Sequence, residues 1–402
     1  MKKTQCISIL LLIIIFLLSG CADITDQTPP SETDLFDTDM ALPRYDAQNK
    51  YFLADLFSFQ EMDGFFCGSN TIGHYLQYYD KASGITGVLC ADPACSHDSS
   101  ECGAYIKRGA TFSVYDGKLY WIADDGRENY LWQSDLSGTN RKKIKLLSYE
   151  NVIMTYQPQR YAIHRGNLYM LGSSNSVTGT QVGDRISLLS TSLDDSEDIT
   201  VLYDNVFEQG AQATVRFVGR SAYLSIIAIS DNGVCDITIT KFNTRTGSSE
   251  IVYEEVNVNA TLGRIWVTEQ GEVFLPGCDD DHAYVWKINE GVRTEIISWD
   301  GQTQSDPNIM DGIATNVYKV DGIRYIRIVS LDGVSVYEGK LFPDNIVGLD
   351  GDPNTCSFAV IGGDADIIIV NLMSFTEAGM VDYTIMLDVA NNMKATILWS
   401  GQ

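Results

Sequence analysis

From residue 50 to the C-terminus the chain consists of short runs in which apolar and polar residues alternate, separated by Asp-Gly, Gly-Asn and Asn-Gly pairs. A period of two puts one face of each run in a core and the other outside, as in strands rather than helices. One unit is clear. Ser113–Ala123 carries Asp116-Gly117 near its centre, Asn129–Asp135 follows after a loop, and Ile144–Leu147 follows the polar stretch Asp135–Asn140. Asp-Gly supplies the positive φ of a two-residue hairpin and the polar stretch closes a second one, which predicts a four-stranded antiparallel meander.

Weaker copies follow the same plan, each marked by a glycine near its centre. Those glycines fall near 64, 117, 166, 219, 271, 322 and 363, in steps of 53, 49, 53, 52, 51 and 41 residues. Sheets repeated at roughly 50 residues cannot bury both faces alone, whereas closing them round an axis buries those faces and leaves short, protected edges. The predicted fold class is therefore all-β: a β-propeller over residues 50–402 with seven four-stranded blades. Six or eight blades, a sandwich pair and a solenoid are the alternatives.

Within the clearest unit, Leu119-Tyr120-Trp121 with Asp124, followed by Asp135-Leu136-Ser137-Gly138-Thr139-Asn140-Arg141, resembles the YWTD repeat of low-density-lipoprotein-receptor-type propellers. Ile122-Ala123 stands in place of the Thr, and the Asp is displaced. The unit resembles still more the propellers carried by bacterial lipoproteins. The YWTD resemblance implies six blades, and its family implies recognition rather than catalysis.

The N-terminus is different in kind. Met1-Lys2-Lys3 precedes the aliphatic run Ile7–Leu18, which is too short to span a bilayer but suits a secretory signal, so residues 1–20 read as a signal peptide. The run ends in Leu18-Ser19-Gly20-Cys21, which resembles the bacterial lipobox. That resemblance implies diacylglyceryl transfer to the Cys21 thiol, cleavage before it, and acylation (palmitate or a similar chain) of the new amino terminus. An ordinary cleaved signal peptide with an incidental cysteine is the alternative. Two or three acyl chains anchor a protein stably where one does not, because each buried methylene contributes about 0.8 kcal/mol. Residues 21–49 contain Pro29, Pro30 and Pro43, seven acids and one arginine, and read as an acylated cysteine followed by a disordered acidic tether. The expected location is the cell membrane, lipid-anchored and facing outside the cytoplasm.

Charge narrows the partners. The net charge is −25, and −27 once Lys2 and Lys3 are removed with the signal peptide. Such a body repels nucleic-acid phosphates, which excludes DNA or RNA binding. It also repels anionic lipid, so membrane contact needs the acyl anchor. A monomer is expected.

The sharpest local feature is Cys90-Ala91-Asp92-Pro93-Ala94-Cys95-Ser96-His97-Asp98-Ser99-Ser100-Glu101-Cys102, in the connection between the first two units. Three thiols and an imidazole form the soft S₃N set that suits tetrahedral Zn²⁺, so Cys90, Cys95, His97 and Cys102 are candidate ligands of a structural zinc. Outside the cytoplasm a disulfide is the competing use, with Cys67 within reach as a partner, and a cluster with neither role is the third reading. Cys235, Cys278 and Cys356 are isolated in sequence and read as buried apolar groups.

His74, His164 and His282 are scattered and read as strand or turn residues. Asp279-Asp280-Asp281-His282 and Asp350-Gly351-Asp352 read as solvated turns rather than Ca²⁺ loops, since neither fits EF-hand spacing. Of the six tryptophans, most are expected between blades, with one or two exposed to stack on sugars or anchor a partner. No phosphate-binding glycine loop, Gly-x-Ser-x-Gly or His-Glu-x-x-His occurs. The favoured reading is a binding or scaffold module for a protein, peptide or glycan. An envelope assembly or maintenance factor and an extracytoplasmic polysaccharide-active enzyme are the alternatives.

Overall fold

The structure is a computed structural model that describes residues 35–47, 58–62, 64–69, 74–106, 112–124, 128–147, 161–178, 181–194, 198–208, 210–229, 234–300, 307–376 and 379–401. The expected signal peptide and Cys21 lie outside the described residues. The chain divides into two compact units, Met1–Thr38 and Asp39–Gln402, and the second holds every strand. Among the described residues no helix is long and apolar enough to cross a membrane.

The strands form seven antiparallel sheets, each made of consecutive strands paired in chain order. The blades occupy residues 58–88, 112–147, 161–207, 211–258, 261–300, 308–340 and 357–401. This is the expected seven-bladed propeller, one blade more than the YWTD resemblance implies. The second strand of blade 2, Lys118–Asp124, shows why the blades stack: Leu119, Tyr120, Trp121 and Ile122 are all buried, so both faces are covered. On the outermost strand of blade 4, Ser249–Val258, one face stays in water, with Ile251 and Val256 exposed.

Blade 5 departs from four continuous strands. Its innermost strand is broken into Thr261–Leu262 and Trp266–Val267, both paired with Val273–Cys278. Pro276 in that second strand accepts the Gly263 N–H at 2.8 Å but has no N–H to return, and Gly263 passes against its ring, so the ladder is interrupted there.

The first turn of blade 2 is the expected one. Asp116 and Gly117 both have positive φ, 45° and 71°, which matches the twist of the flanking strands. In blade 6 the marker is displaced. The first turn is Asp311-Gly312, while Gly322 sits in the second turn, between Ile313–Val320 and Ile323–Ser330. The repeat marker therefore falls one turn later in this blade than in the others, because the two Asp-Gly turns are chemically alike.

Among the described residues no strand is shared between the first and last sheets. Blade 7 meets blade 1 through packed side chains: Phe59, Phe66, Ile361, Ile369, Leu398 and Trp399 form one buried cluster. Phe59 stacks on Trp399 with centroids 5.7 Å apart.

Part of the expected tether is ordered. In a meander the first and third turns lie at one end of the ring, and residues 39–47 lie across the first turns of blades 2, 3 and 4. Arg44 pairs with Asp116, Arg165 donates to Asp46 at 2.6 and 3.1 Å and to the Met40 carbonyl at 2.8 Å, and Arg220 donates to Asp39 at 3.0 Å. Tyr45 packs edge-on against Tyr115. Two of the seven acids, Asp39 and Asp46, bind arginines of the propeller, so residues 39–47 form a docked strap.

Candidate metal centre

The connection from blade 1 to blade 2 is long and folded back between the two sheets. It leaves the outermost strand of blade 1, Thr86–Val88, and pairs along the start of the third: Leu89 N–H bonds Leu76 O at 2.8 Å, Leu76 N–H bonds Ala104 O at 2.9 Å, and Ile106 N–H bonds His74 O at 2.7 Å. Its first bend is dictated locally. Pro93 follows Asp92, whose carboxylate accepts the Ala94 N–H at 2.9 Å and whose carbonyl accepts the Cys95 N–H at 3.2 Å. This is the residue order a tight turn favours.

These bends bring Cys90, Cys95, His97 and Cys102 together, with all four candidate ligand atoms within 4.8 Å of one another. Cys102 is buried and the other three are half-buried. His97 Nδ1 lies 3.4 Å from Cys102 Sγ. In a tetrahedral zinc site with bonds of about 2.3 Å to sulfur and about 2.0 Å to nitrogen, that separation is about 3.5 Å. The cluster can therefore hold a metal ion, and the four residues are those the sequence marked out.

Cys67, Cys90, Cys95 and Cys102 carry free thiols in this structure. Cys67 is fully buried in the apolar cluster beneath the connection, and burial raises its pKa well above the usual range. The thiols of the centre influence each other. Burial opposes a thiolate at Cys90, but the Asp92 N–H and the neighbouring thiols outweigh it and lower its pKa. Burial, then the crowding of Cys95 and Cys90, pushes Cys102 up to about 12.

Two features of the centre are not legible from local sequence. Arg141, in blade 2, donates to the Cys102 carbonyl at 2.9 Å and lies over Trp121 and Trp132, with centroids 5.2 and 5.9 Å away. Gly103 and Gly138 meet backbone to backbone. A Cβ at Gly138, where φ is +78°, would lie 2.7 Å from Gly103 O. Gly138→Ala is accordingly expected to cost about 2–3 kcal/mol, from left-handed strain plus a clash with backbone that cannot rotate away. Urea titration checks this, and a loss below about 0.5 kcal/mol would contradict the contact.

The other candidates resolve into structure. His164 is fully buried, accepting the Ala47 N–H at Nδ1 (3.0 Å) and bonding Gly219 O through Nε2 (2.7 Å). The Asp279 carboxylate accepts N–H groups of Asp281 and His282 and the Tyr284 hydroxyl, and that hydroxyl first of all holds its pKa down to about 2. Asp352 is likewise engaged by its own turn, accepting from Asn354 at 2.9 Å. His74 stacks on Tyr105. The expectation of one or two exposed tryptophans is not met: Trp121, Trp266, Trp286, Trp299 and Trp399 are buried, and half-buried Trp132 stacks on Trp121.

Two shallow hollows lie at the end of blades 4 and 5 that carries the first and third turns. One, of about 300 Å³, is lined by Asp39, Arg220, Lys241 and Glu250. The other, of about 350 Å³, is lined by Lys241, Glu272, Lys287 and Glu290 together with Tyr223. They share Lys241.

No family model and no curated protein matches the chain. Among solved structures it is similar to oligopeptidase B from Leishmania major (7% identity, TM-score 0.50, covering 92% of this chain and 50% of that one). It is also similar to prolyl oligopeptidase B from Galerina marginata (12% identity, TM-score 0.50, 88% and 51%). A third similar structure is an oligogalacturonate lyase in complex with manganese (11% identity, TM-score 0.47, 85% and 95%). The chain spans about half the length of the two oligopeptidases it matches. At these identities the likeness to the two oligopeptidases bears on fold alone, and the seven sheets define the class: this is a β-propeller protein.

Proposed function

We propose that this protein is a lipid-anchored, extracytoplasmic binding module whose propeller presents a polar surface to a peptide, protein or glycan. The observation that supports a binding role best is the pair of adjoining hollows on blades 4 and 5. They are lined by the ion pairs Lys241–Glu250, Lys287–Glu272 and Arg220–Asp39, polar groups that a peptide or sugar could engage by exchanging partners. The anchor rests on the Leu18–Cys21 pattern. A single chain completes its own ring, which supports a monomer. In this reading the S₃N centre holds a structural zinc and takes no part in the ligand's recognition, since four protein ligands leave no open position for substrate.

Two measurements test the reading. The Cys21→Ala protein should move from the membrane fraction to the soluble fraction, and unchanged partition contradicts the anchor. On peptide and glycan arrays the purified propeller should retain a polar ligand, with Lys241→Glu weakening it at least about tenfold, the loss of one charge-assisted bond. Retention indifferent to Lys241, or turnover of the bound compound, would contradict the assignment.

A further inference from the structure

We propose that Cys90, Cys95, His97 and Cys102 bind one Zn²⁺ in a closed tetrahedral site, and that this ion holds together the first blade and its joint with the second. The proposal rests on the structural-zinc reading and adds what the ion holds. Binding forms three Zn–S bonds and one Zn–N bond, and the three thiol protons go to solvent.

The donor set selects the ion. Thiolate and imidazole ligands favour zinc over the hard cations Ca²⁺ and Mg²⁺, which take oxygen. Three thiolates, one neutral imidazole and a divalent ion leave a net charge of about −1 in a half-buried place, which needs a nearby cation. Arg141 supplies it, fixed to the carbonyl of the ligand Cys102 and held flat by two tryptophans. The backbone also departs from its ordinary course at a ligand. His97 has φ of +55°, an uncommon conformation for a side-chain-bearing residue, and it brings the imidazole nitrogen to the sulfur of Cys102.

The need for an ion follows from the size of blade 1. Its strands have 5, 5, 4 and 3 residues, whereas the two middle strands of blade 3 have 12 each. So small a sheet buries little, and the connection makes up the difference. Cys102, Ala104 and Ile106 are buried with Cys67 and Leu76 of blade 1 and with Leu119 and Trp121 of blade 2, in a single cluster. The ends of the connection are pinned by backbone bonds to the third strand, but residues 91–101 between them have no regular secondary structure, and an ion bound by Cys90, Cys95, His97 and Cys102 fixes that stretch. Small domains with too little core commonly use metal for this purpose.

The full chain, purified under reducing conditions without chelator, should contain one zinc per molecule by elemental analysis. Cys90→Ser and His97→Ala should each reduce this at least about tenfold, as loss of a first ligand does. His97 is half-buried, so its removal leaves the core intact, and Cys235→Ser serves as the control that retains zinc. Cobalt exchanged into the wild type should give tetrahedral absorption bands. Absence of zinc, another metal in its place, or a disulfide among these cysteines in the peptide map overturns the zinc reading. Stripping the ion should then raise amide hydrogen exchange across residues 58–106 at least about tenfold while leaving residues 211–340 unchanged. Stoichiometric zinc whose removal leaves residues 58–106 protected overturns the proposed role and leaves the zinc reading standing.

Discussion

Replacing Trp399 with alanine is expected to destabilise the protein by about 3–5 kcal/mol, the cost of emptying a large buried aromatic site. The loss should be felt at both ends of the chain. Trp399 belongs to the outermost strand of blade 7, yet it packs with Phe59 and Phe66 of blade 1 as well as with Ile361 and Ile369 of its own blade. Among the described residues no strand is shared between these blades, and this cluster is where they pack. Equilibrium urea unfolding checks the magnitude. A cost below about 1 kcal/mol would mean that the seam tolerates a large cavity and that closure depends on something else.

Acid should loosen the strap. His164 is neutral in the native state: Nδ1 accepts the Ala47 N–H, so Nε2 carries the proton given to Gly219 O. Burial, the largest influence, lowers its pKa to about 4; Asp46, 3.9 Å away, works the other way, and Arg165 adds to the lowering. The unfolded chain titrates near 6.5, so between pH 6.5 and 4 it binds more protons than the native state does. The stabilisation is complete above the unfolded value and is lost as the pH falls through this window, by about 3 kcal/mol in all. Protonation also occupies the lone pair that holds Ala47. Stability measured from pH 7 to 4.5 should fall accordingly, and His164→Gln, which does not titrate, should flatten the dependence. An equal fall in the variant would assign the acid sensitivity to other groups.

How much of this was legible depends on distance along the chain. The blades were readable because each is a local meander, and Asp116-Gly117 announces its turn from two residues. The same chemistry misled at Gly322, where a second Asp-Gly turn ten residues after the first sends the same signal from a different place in the sheet. Only pairing, Ile313–Val320 against Ile323–Ser330, separates them. The four candidate metal ligands are readable because they lie within one short segment. Arg141 and Gly138, which complete the centre, come from the next blade and carry no local mark. The docking of residues 39–47 is not legible for a similar reason. Low apolar content and seven acids describe a disordered segment, but Asp46 is paired with an arginine 119 residues away. Disorder is a statement about a segment's own composition, and here the partners lie elsewhere.

The central claim is that the two ends of the chain meet to close a ring of seven blades by side-chain packing. A double-mutant cycle on Phe59 and Trp399 tests it most directly, since these rings lie 340 positions apart in sequence and 5.7 Å apart in space. The account predicts that Phe59→Ala and Trp399→Ala together cost less than the sum of the single losses by about 1 kcal/mol, the coupling of a stacked pair with a shared cavity. Additivity within about 0.3 kcal/mol would place the two residues apart and contradict the closed ring.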